Sequence, residues 1–313
     1  MKLSIKNLVA SNRGDALFKG LTLAFALSIP VLLSALFVSL VLAAWPSLTR
    51  FGVGFVFGST WDPVAEVFGA LPMIFGTLLS SLIALVLAVP LGLGTALFLS
   101  EISHSKYKEI ISRMVELLAT IPSVIYGLWG IFVLGPAITG FIGPVLQSLF
   151  GWTPFFQGTI FGLGMLNGGI ILAIMILPTI TAVSRDVFQA VPKSLRESAL
   201  ALGTTKWEMM RLAVFGPAKA GIVGAMILGL GRALGETMAI TMVIGNRAEI
   251  VPSLFAPGYT LASVIANEFT EATSSIYLSS LIEIGLILLA ITVGVNGIAR
   301  YLVWKTTSRD SHI

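Results

Sequence analysis

The chain has no cysteine, which excludes disulfides and thiolate metal sites. It has two histidines, His104 and His312, both beside hydrophilic segments, which gives little basis for a histidine-rich metal centre. Charge is scarce. Only 11% of the 313 residues are charged and 56% are hydrophobic, whereas soluble domains carry roughly 25% charged residues. Such a chain cannot cover itself with a water-compatible surface and needs an apolar solvent around much of its outside. A net charge of +4 gives no footing for a nucleic-acid partner. No G-x-x-x-x-G-K-[ST] loop occurs, so ATP hydrolysis, if it drives this protein, takes place on another chain. The apolar runs also lack paired aspartates, which leaves an intramembrane enzyme without a catalytic cluster.

What is present is a series of long apolar runs. A helix crossing a hydrocarbon core of roughly 30 Å needs about 20 apolar residues. Leu21 to Thr49 is free of charge, its apolar part ending at Trp45-Pro46. Val67 to Ser100 follows, with Pro90 inside. A third run starts at Leu117 and holds Ile121 to Ile138; a fourth covers Thr159 to Ser184. Ala220 to Gly245 and Tyr277 to Ala299 complete the set. The first run exceeds the roughly 7–15 residues of a signal-peptide core and is read as a retained span. Thr139 to Gly158, uncharged but rich in Gly and Pro, is expected to be an interfacial loop, with at most a short helix. The fold class expected is therefore all-α, a polytopic membrane protein with six transmembrane helices.

Lys and Arg orient these spans. Sixteen of the nineteen lie on one side, only Arg50 and Arg247 on the other, and Arg232 falls within the fifth run. Both termini are expected in the cytoplasm. Trp45 and Trp304 sit at span ends, where interfacial anchors belong.

The longest hydrophilic stretch, Arg185 to Lys219, lies between the fourth and fifth runs. Val191, Leu195, Ala199 and Leu202 recur at helical spacing, Pro192 suits a first turn and Gly203 a C-terminal stop. Thr205-Lys206-Trp207-Glu208 has the form of a capping box opening a second helix. Small residues Ser198, Ala199 and Ala201 suit a helix that enters a partner's groove; an ordinary connector has the same pattern.

Glu197-Ser198-Ala199-x-x-x-Gly203 resembles the EAA-x-x-x-G loop of ABC-importer permeases. The I-x-L-P that follows in that family is replaced by Ala213-Val214-Phe215-Gly216, with Pro217 one place late. The segment Gly229 to Ala239 resembles phosphate-specific permease subunits, and so do Trp45-Pro46-Ser47, Phe68-Gly69-Ala70-Leu71, Ile121 to Gly127, Ser184 to Phe188 and Ala266-Asn267-Glu268-Phe269. Together they are similar to the PstC-type subunit rather than the PstA-type. The resemblance implies a type I ABC importer (MetI-like) permease core of five helices over 68–303. A cytoplasmic segment 1–20 and an added span 21–46 precede it, and a tail 304–313 follows. It implies a coupling loop at about 186–217, with Glu197, Ser198, Ala199 and Gly203 contacting the ATPase. It also implies a PstA-type second permease, two PstB-type ATPase subunits holding ATP and Mg, and an extracytoplasmic PstS-type phosphate-binding protein. No cofactor is implied on this chain, and the location implied is a prokaryotic inner membrane.

Arg232 and Glu236 lie inside an apolar run, and four residues apart they are expected on one helix face. A charge near the bilayer centre costs at least ~2.5–3.5 kcal/mol, so both should face the bundle interior. Arg232 either offers its planar fork to a passing oxyanion or forms a structural pair with Glu236. With the resemblance, both are placed on a phosphate pathway. Glu283, alone near the start of the sixth run, is expected near the outer interface within reach of water, in a structural role. Gly231-x-x-x-Gly235 reads as close helix packing, and Gly162-x-Gly164 as a helix start or packing face. An ATP-independent anion channel or secondary carrier remains the alternative.

Overall fold

The computed structural model describes residues 5–102 and 105–310. His104 and His312 lie outside the described residues, as does the side chain of Trp304. Six helices are long and apolar enough to cross a membrane: Gly14–Phe51, Leu71–Glu101, Ser123–Phe150, Met165–Ala190, Lys206–Leu234 and Ser275–Tyr301. They are called spans one to six. The end of the bundle that carries most Lys and Arg is the basic side.

The fourth span is central, with 67% of its apolar window buried, against 0% for the first. It packs most extensively on the second span. Lipid offers no hydrophobic drive for helix association, so the contact relies on small residues that let backbones approach. A Cβ on Gly169 would stand 2.4 Å from the Ile83 side chain, and one on Gly92 or Gly229 would stand 2.9 Å from Ile180. Ala84 and Ala88 are fully buried in the same seam. The first helix runs Ile5–Phe51 and packs on the sixth span at its far end. There Ala44 and Ser47 are fully buried, and the Ser47 and Ser280 hydroxyls are 3.1 Å apart. From Leu21 to Ser39 the helix is apolar and exposed, which is stable only in lipid or against another subunit.

Three features depart from the sequence reading. First, the third span does not stop at Ile138. It continues helical to Phe150, through π-turns at Gly130–Leu134 and Ile138–Ile142. Only the remainder of the expected loop is irregular. Pro136 and Pro144 each follow a π-turn by two residues. A wider turn changes the hydrogen-bond register where proline has no N–H to donate, so the helix survives Gly and Pro that would otherwise end it. Second, the helix opening at Lys206 is not a separate short element. It passes through a π-turn at Met210–Val214, just ahead of Pro217, into Phe215–Leu234. Third, the fifth span ends at Leu234. Gly235 takes φ −96°, ψ 1°, and a short helix, Met238–Val243, follows.

At the far end the chain builds a lid of short elements. Trp61–Asp62 pairs antiparallel with Val67–Phe68. The helix Leu261–Glu268 opens with a Thr260–Ser263 capping box and is tied to the second span by a bond from the Leu261 N–H to Thr77 Oγ1 (2.9 Å). The second span's backbone comes so close here that a Cβ on Gly76 would sit 2.0 Å from the Tyr259 carbonyl oxygen. Only glycine fits.

Candidate functional site: an intramembrane arginine between two polar ends

Arg232 occupies the last turn of the fifth span, where the carbonyl end of the helix dipole favours a cation. Glu236 lies past the end of that helix, and its Oε1 accepts from the Ala239 N–H (3.2 Å). It thus serves the N–H end of the next helix, where an anion is favoured. The shared helix face does not exist, because the helix stops between the two residues. They form no ion pair within 4 Å; each is stabilised by a different helix end. Arg232 is exposed in this chain and donates one long bond, Nη1 to Thr179 Oγ1 at 3.4 Å. Thr179 sits near the middle of the fourth span. The Tyr126 hydroxyl is donated to the Leu118 carbonyl (2.7 Å). The result is a cation beside Thr179 with most of its fork unused.

Gly231 and Gly235 are not a close-packing pair. The nearest atoms to a Cβ on Gly231 belong to Asn296, at 3.9 Å, and Gly235 meets only its own helix. Their smallness instead leaves open space on either side of Arg232. Thr179 and Asn296 have no distinguishing signal in the sequence, since each is a polar residue in an apolar run; Tyr126 lies in the Ile121 to Gly127 segment but nothing there links it to Arg232. The large groove between spans two, three and four, of about 610 Å³, is lined wholly by apolar residues such as Leu82, Val86 and Ile170 and offers an anion no donor. Among the described residues no group of three His, Asp or Glu could hold a metal.

On the basic side, Lys193–Ala201 is a helix that stops at Gly203, whose φ is +82°. Thr205 and Glu208 form the reciprocal capping box, the Thr205 N–H donating to Glu208 Oε2 (2.8 Å). Glu197, Ser198 and Gly203 are exposed and Ala199 half-buried. Beside them Leu202 is 85% and Trp207 61% exposed. Large apolar side chains presented together mark a surface that meets a partner.

At the far end Glu268 is a hub that the sequence did not reveal. Its Oε2 accepts from Trp61 Nε1 (2.7 Å) and Tyr277 Oη (2.6 Å), and its Oε1 from Tyr259 Oη (2.9 Å). Burial pushes the Tyr259 phenol above its ordinary range, so it stays a donor. Nearby, the Ser274 hydroxyl and then Arg50, at 3.0 Å, hold the Glu66 carboxyl below its ordinary value. Glu283 departs from expectation. It is 3% exposed, with no hydrogen-bond partner on Oε2. It lies one turn along the sixth span from Ser280, where the first span packs.

These features coincide with known proteins. Residues 88–307 match the profile of the family described as binding-protein-dependent transport system inner membrane component. The phosphate transport system permease protein PstC of Mesorhizobium japonicum is 47% identical over 299 residues, covering 94% of this chain and 91% of that protein. The PstC of Haemophilus influenzae is 47% identical over 295 residues, covering 93% of each. Among solved structures, a bacterial alginate ABC transporter chain aligns over 94% of this chain and 96% of its own, with TM-score 0.61 at 15% identity. A chain of the MetNI methionine ABC transporter, in an inward-facing conformation, aligns over 79% of this chain and 99% of its own, with TM-score 0.57 at 16% identity. The fold is thus that of type I ABC importer permeases, and the chain belongs to the binding-protein-dependent transport system inner membrane component family, among its PstC-type permeases.

Proposed function

We propose that this chain is one of two permease subunits of an ATP-driven importer of inorganic phosphate. The observation that carries the reading is the Arg232 guanidinium, in the last turn of the fifth span beside Thr179 of the fourth and with no ion pair among the described residues, in a chain 47% identical to phosphate permeases. A planar fork with free donors matches an oxyanion, and its exposed side opens where a second permease would complete the pathway. Glu236, committed to the Ala239 N–H, shapes the break in the fifth span without touching phosphate. ATP and Mg belong to two ATPase subunits, which engage the segment containing Glu197, Ser198, Ala199 and Gly203. A phosphate-binding protein docks on the far end. ATP binding closes the ATPase pair, turns the pathway outward to that protein, and hydrolysis returns it inward.

The test is reconstitution of this chain with a PstA-type permease, a PstB-type ATPase and a PstS-type binding protein in vesicles. Phosphate uptake should require all four proteins and ATP. Uptake by this chain without the ATPase would instead establish the channel or carrier reading.

Orientation follows from the sixteen-to-two distribution of Lys and Arg. The basic side is cytoplasmic. The absence of native cysteine makes a direct measurement possible. A cysteine at Ser194 in intact cells should react only with membrane-permeant thiol reagents, and one at Ser253 should react with impermeant ones. Labelling of position 194 from outside would reverse the topology.

A further inference from the structure

We propose that Arg196 and Glu101 form the joint through which movement of the helix Lys193–Ala201 reaches the second and fourth spans. The proposal rests on the reading of that helix as the ATPase-coupling element. Arg196 Nε donates to Glu101 Oε2 (3.1 Å) and Nη2 to Oε1 (2.7 Å), a fork on a carboxylate. Nη2 also donates to the Phe188 carbonyl (2.6 Å), and Nη1 to the Val191 carbonyl. Those carbonyls lie in the last turn of the fourth span and just beyond it; the Phe188 oxygen also accepts the Val191 N–H (3.3 Å). One guanidinium therefore ties three elements together: the coupling helix that carries it, the end of the fourth span and the end of the second.

Two observations set this contact apart. The side chains are 16% and 9% exposed, whereas every other ion pair among the described residues has at least one partner more than half exposed or, for Arg50 and Glu66, both more than a third exposed. Exposed pairs contribute little, but a buried fork with four of its five N–H donors engaged is directional. Glu101 also lies in a π-turn, Phe98–Ile102. The extra residue turns later positions by roughly 100° relative to a continuous α-helix. The other three π-turns precede a proline within three residues; this one is followed by Ser103-His104-Ser105. No missing N–H accounts for it. Its effect is to bury Leu99 (1% exposed) while aiming Glu101 at Arg196. The joint borders a polar cleft of about 530 Å³, lined also by Ser100, Gln189, Lys193 and Glu197. Glu197 of the coupling motif shares its wall.

Arg196 and Glu101 act as positioning residues, so the readout is uptake per ATP hydrolysed by the full complex in vesicles. Glu101→Gln, Arg196→Gln and Arg196→Lys should assemble with the ATPase and hydrolyse ATP at near-normal rates. Their phosphate uptake per ATP should fall by at least about tenfold, the scale of losing one partner of a buried charge pair. Arg196→Lys keeps the charge but not the fork, and should fall with the others. Glu101→Asp, which keeps the carboxylate, should retain part of the coupling. An unchanged ratio in the Gln variants would overturn the proposal. So would loss of complex yield in every variant, Glu101→Asp included, because the pair would then be a folding element. If instead the wild-type complex contained no ATPase, the coupling reading itself would fail, with the joint variants playing no part in that result.

Discussion

Gly203→Val is expected to abolish phosphate uptake while leaving the chain inserted and paired with its partner permease. Gly203 sits at φ +82°, and a Cβ there would meet nothing within 4 Å. Space is therefore not the obstacle; backbone conformation is. A left-handed residue with a side chain costs roughly 1–2 kcal/mol, and a β-branched one is a steric outlier there. The turn is also tightly specified by its neighbours. The Gly203 N–H donates to the Leu200 carbonyl (2.9 Å), Thr204 Oγ1 donates to the Ala199 carbonyl (2.8 Å), and the Thr205 capping box starts the next helix. Relieving the strain must reorient Lys193–Ala201 against the fifth span and move Leu202 and Trp207 with it. Asn tolerates the left-handed region, so Gly203→Asn should retain substantial uptake. The measurement is ATP-dependent uptake with membrane content and ATPase copurification for both variants. Normal uptake by Gly203→Val at normal expression would remove the coupling role from this turn.

Arg232→Lys is expected to reduce uptake to under about a tenth, since hydrogen bonds to charged groups are worth ~1.5–3 kcal/mol and a lysine cannot present the fork. Assembly should be unaffected, because Arg232 makes one 3.4 Å bond to Thr179 and no ion pair. The double variant Arg232→Gln, Glu236→Gln separates substrate contact from structural pairing. Partners that neutralise each other would recover function when both charges are removed. Here Glu236 serves the Ala239 N–H instead, so the double variant should transport no better than Arg232→Gln alone. Uptake and complex yield measured for all the variants decide it. Full recovery in the double variant would sink the substrate-contact reading.

The extent to which the sequence could be read depended on how local each interaction is. Hydropathy over about 20 residues is an additive property of one segment, and the six apolar helices follow from it. The Thr205–Glu208 box and the Gly203 stop each involve four residues or fewer and were readable for the same reason. The errors came where a local pattern admits two outcomes. Gly and Pro between Thr139 and Phe150 signal a loop unless a π-turn changes the register ahead of Pro144, and here the turn Ile138–Ile142 does. Arg232 and Glu236 are four apart, which means a shared face only if the helix continues, and it ends at Leu234.

By itself the sequence determined the number and place of the apolar helices, the basic bias, the turn at Gly203 and the presence of charges within spans. Which charges meet was decided only by the tertiary structure. Arg196 and Glu101 are 95 residues apart and Trp61 and Glu268 are 207 apart. No periodicity links such positions. Glu283 is buried where the first span packs on the sixth, and Arg232 makes no ion pair with Glu236 because the helix ends between them. These are consequences of packing, since a side chain's partners are set by which helices approach and in what register, and that choice involves the whole bundle at once.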